Sequence, residues 1–271
     1  MRRLVAVVVG VVLIVPEAAS AQSGSTRSTR PPLITWLDAA TLVTGIGGSI
    51  ALMGVDSRIA RRLQGPRYQD NATYDDIADV AALVNEKSLF AAGLLTYGVA
   101  KLVHAPRTTT DIAWHTSESV FITSATATVV RGFLGRSRPF VTHDSDAHDY
   151  KPGKGFAQQS YRSYPSIHAA SAFATAATLT AETARHSRRA AWVVGPITYS
   201  LASLPGLARM YKDKHWASDV AMGAALGAVS GWATVRYHHH RPGNRLDKVF
   251  LGATPSASTG AALGFTGGFT F

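Results

Sequence analysis

Six apolar, alanine-rich stretches of helix length, separated by short polar clusters, constrain this chain more than any other feature. They run roughly from Trp36 to Val55, Ser88 to Lys101, Ile112 to Leu134, His168 to Arg185, Ala190 to Ala208 and Trp216 to Arg236. Their alanine content and the lack of period-2 alternation favour helix over strand, so the expected fold is all-α, an antiparallel helical bundle. A chain of 271 residues can bury one good core, and a single helical domain over 36–241 is expected.

The two ends read differently. Arg2 and Arg3, an apolar run from Leu4 to Val15, and the small residues Ala19, Ser20 and Ala21 have the layout of a secretory signal over 1–21, cleaved after Ala21. A signal kept as an anchor is the other reading. Residues 22–35 are rich in Ser, Thr, Arg and Pro, as in a flexible leader. Residues 242–271 form a glycine-rich tail, from which a short β-like element is expected, a hairpin or an extended segment on the helical body.

Composition narrows the chemistry. There is no cysteine, which excludes disulfides, thiolate catalysis and zinc-thiolate sites. The formal charge is +10; removing 1–21 takes away Arg2, Arg3 and Glu17, a net of +1, and leaves +9. Such a surface favours anions. Nucleic acid is not expected as the anion, because no basic stretch carries interleaved aromatics.

The polar clusters between the helices carry the functional signal. Arg131 to Pro139 reads RGFLGRSRP, Pro165 to His168 reads PSIH, and Arg209 to Asp219 reads RMYKDKHWASD. Guanidinium groups are permanently charged forks that match phosphate oxygens, so Arg131, Arg138 and Arg209 converging on one point would offset most of a phosphoryl dianion's charge. His215 and Asp219 are four apart and share a helix face; the carboxylate can accept one imidazole N–H and leave the other nitrogen as nucleophile or base. Ser166 is a plausible cap for the helix that begins near His168, and its first turn offers backbone N–H groups to an anion. His168 is placed there to protonate a leaving oxygen.

The clusters also fall at helix ends in a consistent way. The first ends the Ile112 segment, the second begins the His168 segment, and the third joins the Ala190 segment to the Trp216 segment. Packed antiparallel, these four helices bring all three clusters to one end, leaving the turn Arg185 to Arg189 and the tail Arg236 to Arg241 at the other.

In this order, R-x6-R-P, P-S-x-H and R-x5-H-x3-D, the clusters resemble the three-part signature of the type 2 phosphatidic acid phosphatase and vanadium haloperoxidase family, over about a third of the chain. That resemblance implies a metal-independent phosphatase. In it His215 is the nucleophile that forms a phosphohistidine, Asp219 its partner and His168 the general acid, while Arg131, Arg138, Ser166, the Ile167 backbone and Arg209 hold the phosphate. Neither a cofactor nor a metal is expected. Three positions depart from the family pattern: Arg131 where Lys is usual, Ile167 where Gly is usual, and Ala208 where Ser is usual. The first keeps the charge, the second puts a side chain beside the pocket, and the third removes a hydroxyl.

The substrate stays open among phosphatidate, an isoprenoid diphosphate and small soluble phosphomonoesters. Two rival readings are a haloperoxidase holding vanadate in the same cage and a catalytically silent module that binds anionic lipid. The segments are thin for bilayer spans: Pro196 and Pro205 interrupt one, and His115 and Glu118 sit in another. The expected setting is therefore periplasmic, soluble or attached to a membrane surface, with an integral inner-membrane form as the alternative. The loop HDSDAHD, His143 to Asp149, holds ligand-type residues without a recognised metal spacing and reads as a hydrophilic loop. His238 to His240 read as a solvated helix end, and Lys151, Lys154, Lys212 and Lys214 as surface lysines.

Overall fold

A computed structural model describes residues 32–241 and 243–251. The expected signal, most of the leader and most of the tail lie outside these residues. What is described is a helical bundle: α1 Trp36–Met53, α2 Asp56–Leu63, α3 Pro66–Gln69, α4 Ala72–Ala82, α5 Glu86–Leu102, α6 Arg107–Leu134, α7 Lys154–Ala157, α8 Ile167–His186, α9 Arg188–Tyr211 and α10 Ala217–His240. Among the described residues there is no sheet, only an isolated bridge between Arg136 and Tyr150. Where the tail is described, Asp247–Leu251 is a π-helical turn and not the start of a strand.

The six expected segments correspond to α1, α5, α6, α8, α9 and α10, with ends shifted by a few residues. Their boundaries have local causes. Thr35 and Asp38 form a capping box at the start of α1, Asn85 caps α5, and the Ser187 hydroxyl accepts from Ala190 N–H to start α9 one residue after α8 ends. Gly135 ends α6 in the left-handed conformation at φ 59°, and a Cβ there would stand 1.9 Å from the Lys151 carbonyl oxygen. That turn sends Arg136 to Arg138 back across the bundle end.

Helix α8 is the centre. It packs against α6, α9 and α10, and α10 packs in turn against α1. Its buried face is mostly alanine, and the core that joins it to α9 and α10 is built from Ala172, Phe173, Ala176, Ala202 and Ala224. Small side chains let backbones approach closely. On α10, Gly223, Gly227 and Gly231 recur every four residues along the seam with α8; a Cβ on Gly223 would lie 2.4 Å from the Ser166 carbonyl oxygen, and one on Gly227 2.1 Å from that of Ala170. The seam therefore sets the start of α10 directly against the start of α8, and the Ser166 N–H donates to the Asp219 carbonyl at 3.0 Å.

Trp36–Met53 is the one described helix long and apolar enough to cross a membrane. Apolar side chains also face outward on other helices, among them Leu95 and Val99 of α5 and Trp192, Ile197 and Leu201 of α9.

Candidate active site

The three clusters meet. Arg131 lies in the last turn of α6, Arg138 in the strap after Gly135, His168 in the first turn of α8, Arg209 in the last turn of α9, and His215 just ahead of α10. Their charges act on one another. The His168 imidazole is pushed down to about 3, by burial first and then by Arg209, His215, Arg138 and Arg131. Arg138 is lowered to about 10 by burial and by the neighbouring Arg209 and Arg131 guanidiniums. Burial also lowers Arg131 and Arg209. Like charges gathered in a desolvated place are costly unless an anion joins them.

The hydrogen-bond inventory agrees. The Nε groups of Arg131, Arg138 and Arg209 and Nδ1 of His168 are buried and have no partner within the protein. Buried polar groups are normally satisfied, so three unpaired guanidinium N–H donors beside an unpaired imidazole nitrogen suit an anion at this place. Ser166 is fully buried and caps α8 through a long 3.5 Å contact to the Ala169 N–H, and Ile167 is buried beside it.

Beneath this unpaired layer lies a fully paired one. His215 is 2% exposed, and its Nδ1 faces Asp219 Oδ2 at 3.4 Å. Burial holds the imidazole near 4 against the pull of Asp219, so it is neutral over the ordinary pH range. The same carboxylate oxygen accepts from the Trp216 N–H at 2.8 Å and the Ser163 hydroxyl at 2.5 Å, and Oδ1 accepts from Arg136 Nη1 at 2.6 Å. Burial would raise Asp219, but Arg136, His215 and Ser163 outweigh it and keep the group ionised. The His215 contact is the longest of the four.

Arg136 is the residue that sequence reasoning missed. It is completely buried, donating to Asp219, to the Ser218 hydroxyl at 2.6 Å, to Asp56 Oδ2 at 2.8 Å and to the Ala147 carbonyl at 2.9 Å. Tyr150, Tyr164 and Trp216 ring it, with centroids 5.5, 5.8 and 5.6 Å from its guanidinium carbon. The loop HDSDAHD contributes here through its backbone: the Ala147 carbonyl holds Arg136 and the Asp149 carbonyl holds the Ser137 N–H. Two further charges border the cage. Arg162 bonds the Gly155 and Phe156 carbonyls yet acts on Arg131 and Arg138, while Glu86 pulls on Arg131 and Arg209. Lys212 is tied to Asp75 and Asp79, and Lys214 lies over the Phe140 ring at 4.5 Å, in keeping with surface roles.

One expectation fails at the opposite end. His238 is not a solvated tail residue: it is buried between Glu118 and Asp247, and His239 bonds Glu182. The reason is that α10 runs on to His240, beside α6 and α8, so its last turn is still inside the bundle.

Residues 112–242 match the family model described as the PAP2 superfamily. Lipid A 1-phosphatase of Porphyromonas gingivalis is 44% identical over 71 residues, covering 26% of this chain and 15% of that protein's length. No solved structure matches. The family match opens within α6 and closes just past α10, enclosing the three motifs and the four helices that carry them, so residues 112–242 form a PAP2 superfamily domain.

Proposed function

We propose that the chain is a phosphatase of lipid phosphates that works through a phosphohistidine. The observation that carries this reading is the set of three half-buried guanidiniums, each with a buried and unpaired Nε donor, around His168 and His215. Arg131, Arg138 and Arg209, with the first turn of α8 behind Ser166 and Ile167, bind the phosphoryl oxygens. Asp219 holds the Nδ1–H tautomer of His215, leaving Nε2 to attack phosphorus. As the P–O bond to the leaving alcohol breaks, His168 gives that oxygen a proton. Water then attacks the phosphohistidine, His168 takes a proton back, and inorganic phosphate leaves.

The depressed His168 sets a requirement. In the free protein this imidazole is neutral, so the proton for the leaving group arrives with the substrate: a phosphate monoanion brings it, and the bound negative charge offsets the burial and the guanidiniums that kept it off. The same balance explains why His215 can stay a neutral nucleophile beside three cations.

A lipid substrate is supported by the likeness to a lipid A 1-phosphatase and by the outward apolar side chains of α1, α5 and α9, which suit contact with a bilayer surface. A membrane-associated, extracytoplasmic setting fits both.

The test is to present the purified chain with phosphatidate, an isoprenoid diphosphate and an aryl phosphate in mixed micelles, without added metal. The expected result is phosphate release that disappears in His215→Ala. Halide oxidation that needs added vanadate would replace this reading with a haloperoxidase, and vesicle binding with no turnover of any substrate would replace it with a lipid-binding module.

A further inference from the structure

The end of the bundle away from the arginine cage buries a second cluster, which phosphate chemistry does not use. His115 and Glu118 come from α6, Glu182 from α8, His238 and His239 from α10, and Asp247 from the turn that follows. Along α10, His238 is 19 residues beyond Asp219, about 28 Å at the helical rise, and along α6 His115 is 16 residues before Arg131, about 24 Å. The two clusters are separate sites.

The groups gathered at this end are of the kinds that hold an ion. A ring nitrogen of His115, one of His238 and a carboxylate oxygen of Asp247 all lie within 4.8 Å of one another, and all three residues are buried. Each imidazole is held from behind by a carboxylate. His115 Nδ1 bonds Glu182 Oε1 at 2.6 Å, which leaves Nε2 buried with no partner within the protein. His238 Nε2 bonds Glu118 Oε2 at 2.5 Å, and Nδ1 is hydrogen-bonded to Asp247 Oδ1, a pair that an ion would part by taking the place of the shared proton. The other Asp247 oxygen accepts from Asn244 Nδ2 at 2.7 Å. Histidines that ligate a metal characteristically hand their second nitrogen to a carboxylate in this manner, fixing the tautomer and the ring.

We propose that His115, His238 and Asp247 bind one divalent transition-metal ion of the zinc type, oriented by Glu182, Glu118 and Asn244. Two imidazoles and one carboxylate suit zinc and its neighbours and not magnesium or calcium, which prefer all-oxygen shells. Three protein ligands leave a fourth position for water. The ion ties the chain after α10 to α6 and so fastens the end of the bundle; it takes no part in phosphate chemistry.

Elemental analysis of the full chain, purified without a metal-affinity step and equilibrated with Zn2+, is expected to give one ion per chain. Co2+ in its place is expected to give the visible bands of a four-coordinate nitrogen and oxygen site. Asp247→Asn and His238→Ala lose the ion while retaining phosphate release, Glu182→Gln and Glu118→Gln weaken binding ~10- to 100-fold, and Mg2+ or Ca2+ does not compete. Chelator lowers the unfolding temperature but leaves the initial rate unchanged below it. A wild-type chain that takes up no Zn2+ or Co2+ overturns the proposal. So does an ion that is lost with His240→Ala but kept in Asp247→Asn, since that would be surface binding by the histidine run. The wild-type measurements stand even where a variant fails to fold.

Discussion

The two ends of the helical bundle handle buried charge in opposite ways. At one end Arg131, Arg138 and Arg209 crowd together with unpaired Nε donors and push the neighbouring imidazole down; at the other, His115, His238 and His239 each meet a carboxylate. Unpaired cations cost folding free energy, and a site that retains them is suited to an anion that comes and goes. Histidines backed by carboxylates, with only the His115 Nε2 left open, suit an ion that stays as part of the structure. Arg136 shows that the first end needs both kinds: an ion-paired layer of Asp56, Arg136 and Asp219 supports the unpaired layer above it.

If this contrast holds, substitutions at the two ends should divide cleanly between rate and stability. The largest effect is expected for His215→Ala, which removes the nucleophile and should lower kcat/KM by on the order of 10⁴-fold or more, with the unfolding midpoint little changed. His168→Ala should leave slow turnover, down ~10²- to 10⁴-fold. Equal and mild losses at both histidines, read in steady-state assays on one substrate, would erase the division of roles. At the far end Glu182→Ala strips the partner from two imidazoles and should cost about 3–5 kcal/mol in denaturant unfolding, with kcat intact where the protein remains folded.

The sharpest contrast comes from Arg209→Ala. Its loss from the transition-state cage should reduce kcat ~10²- to 10³-fold, yet folding stability should hold or rise, because a desolvated cation with an unpaired Nε donor beside two like charges has been removed. A marked drop in the unfolding midpoint would mean that Arg209 is a structural residue. The smallest effect is the pH response. Protonated His215 cannot attack, so kcat/KM should rise with pH through about 4; it should fall above pH ~6, where a phosphomonoester loses the proton that it brings to His168. A rate that climbs steadily from neutral to alkaline pH would contradict the proton's origin.

How much of this was legible in the sequence depended on the distance over which a residue finds its partners. The long helices announced themselves through apolar runs, and Arg131, Arg138, His168, Arg209 and His215 through their order and their places at helix ends. Helices α2 and α4 did not, because DSRIARRL and ATYDDIADVAA are short and polar and gain their packing only from the bundle. Arg136 was hidden between two arginines of the motif, since what distinguishes it is Asp56, 80 residues earlier, and Asp219, 83 residues later. His238 looked solvated because Glu118 lies 120 residues away. One signal was there to find: Asp111, His115 and Glu118 fall on a single face of the helix that starts at Arg107, and a polar face of that kind on an otherwise buried helix needs partners.

The most direct test of the central claim, that the unpaired cage delivers a phosphoryl group to His215, is to quench the enzyme under alkaline conditions during turnover of an aryl phosphate and map phosphorylated peptides by mass spectrometry. Phosphate is expected on His215, absent in His215→Ala and diminished in Arg209→Ala. Sustained turnover with phosphate on another residue, or on none, would contradict it.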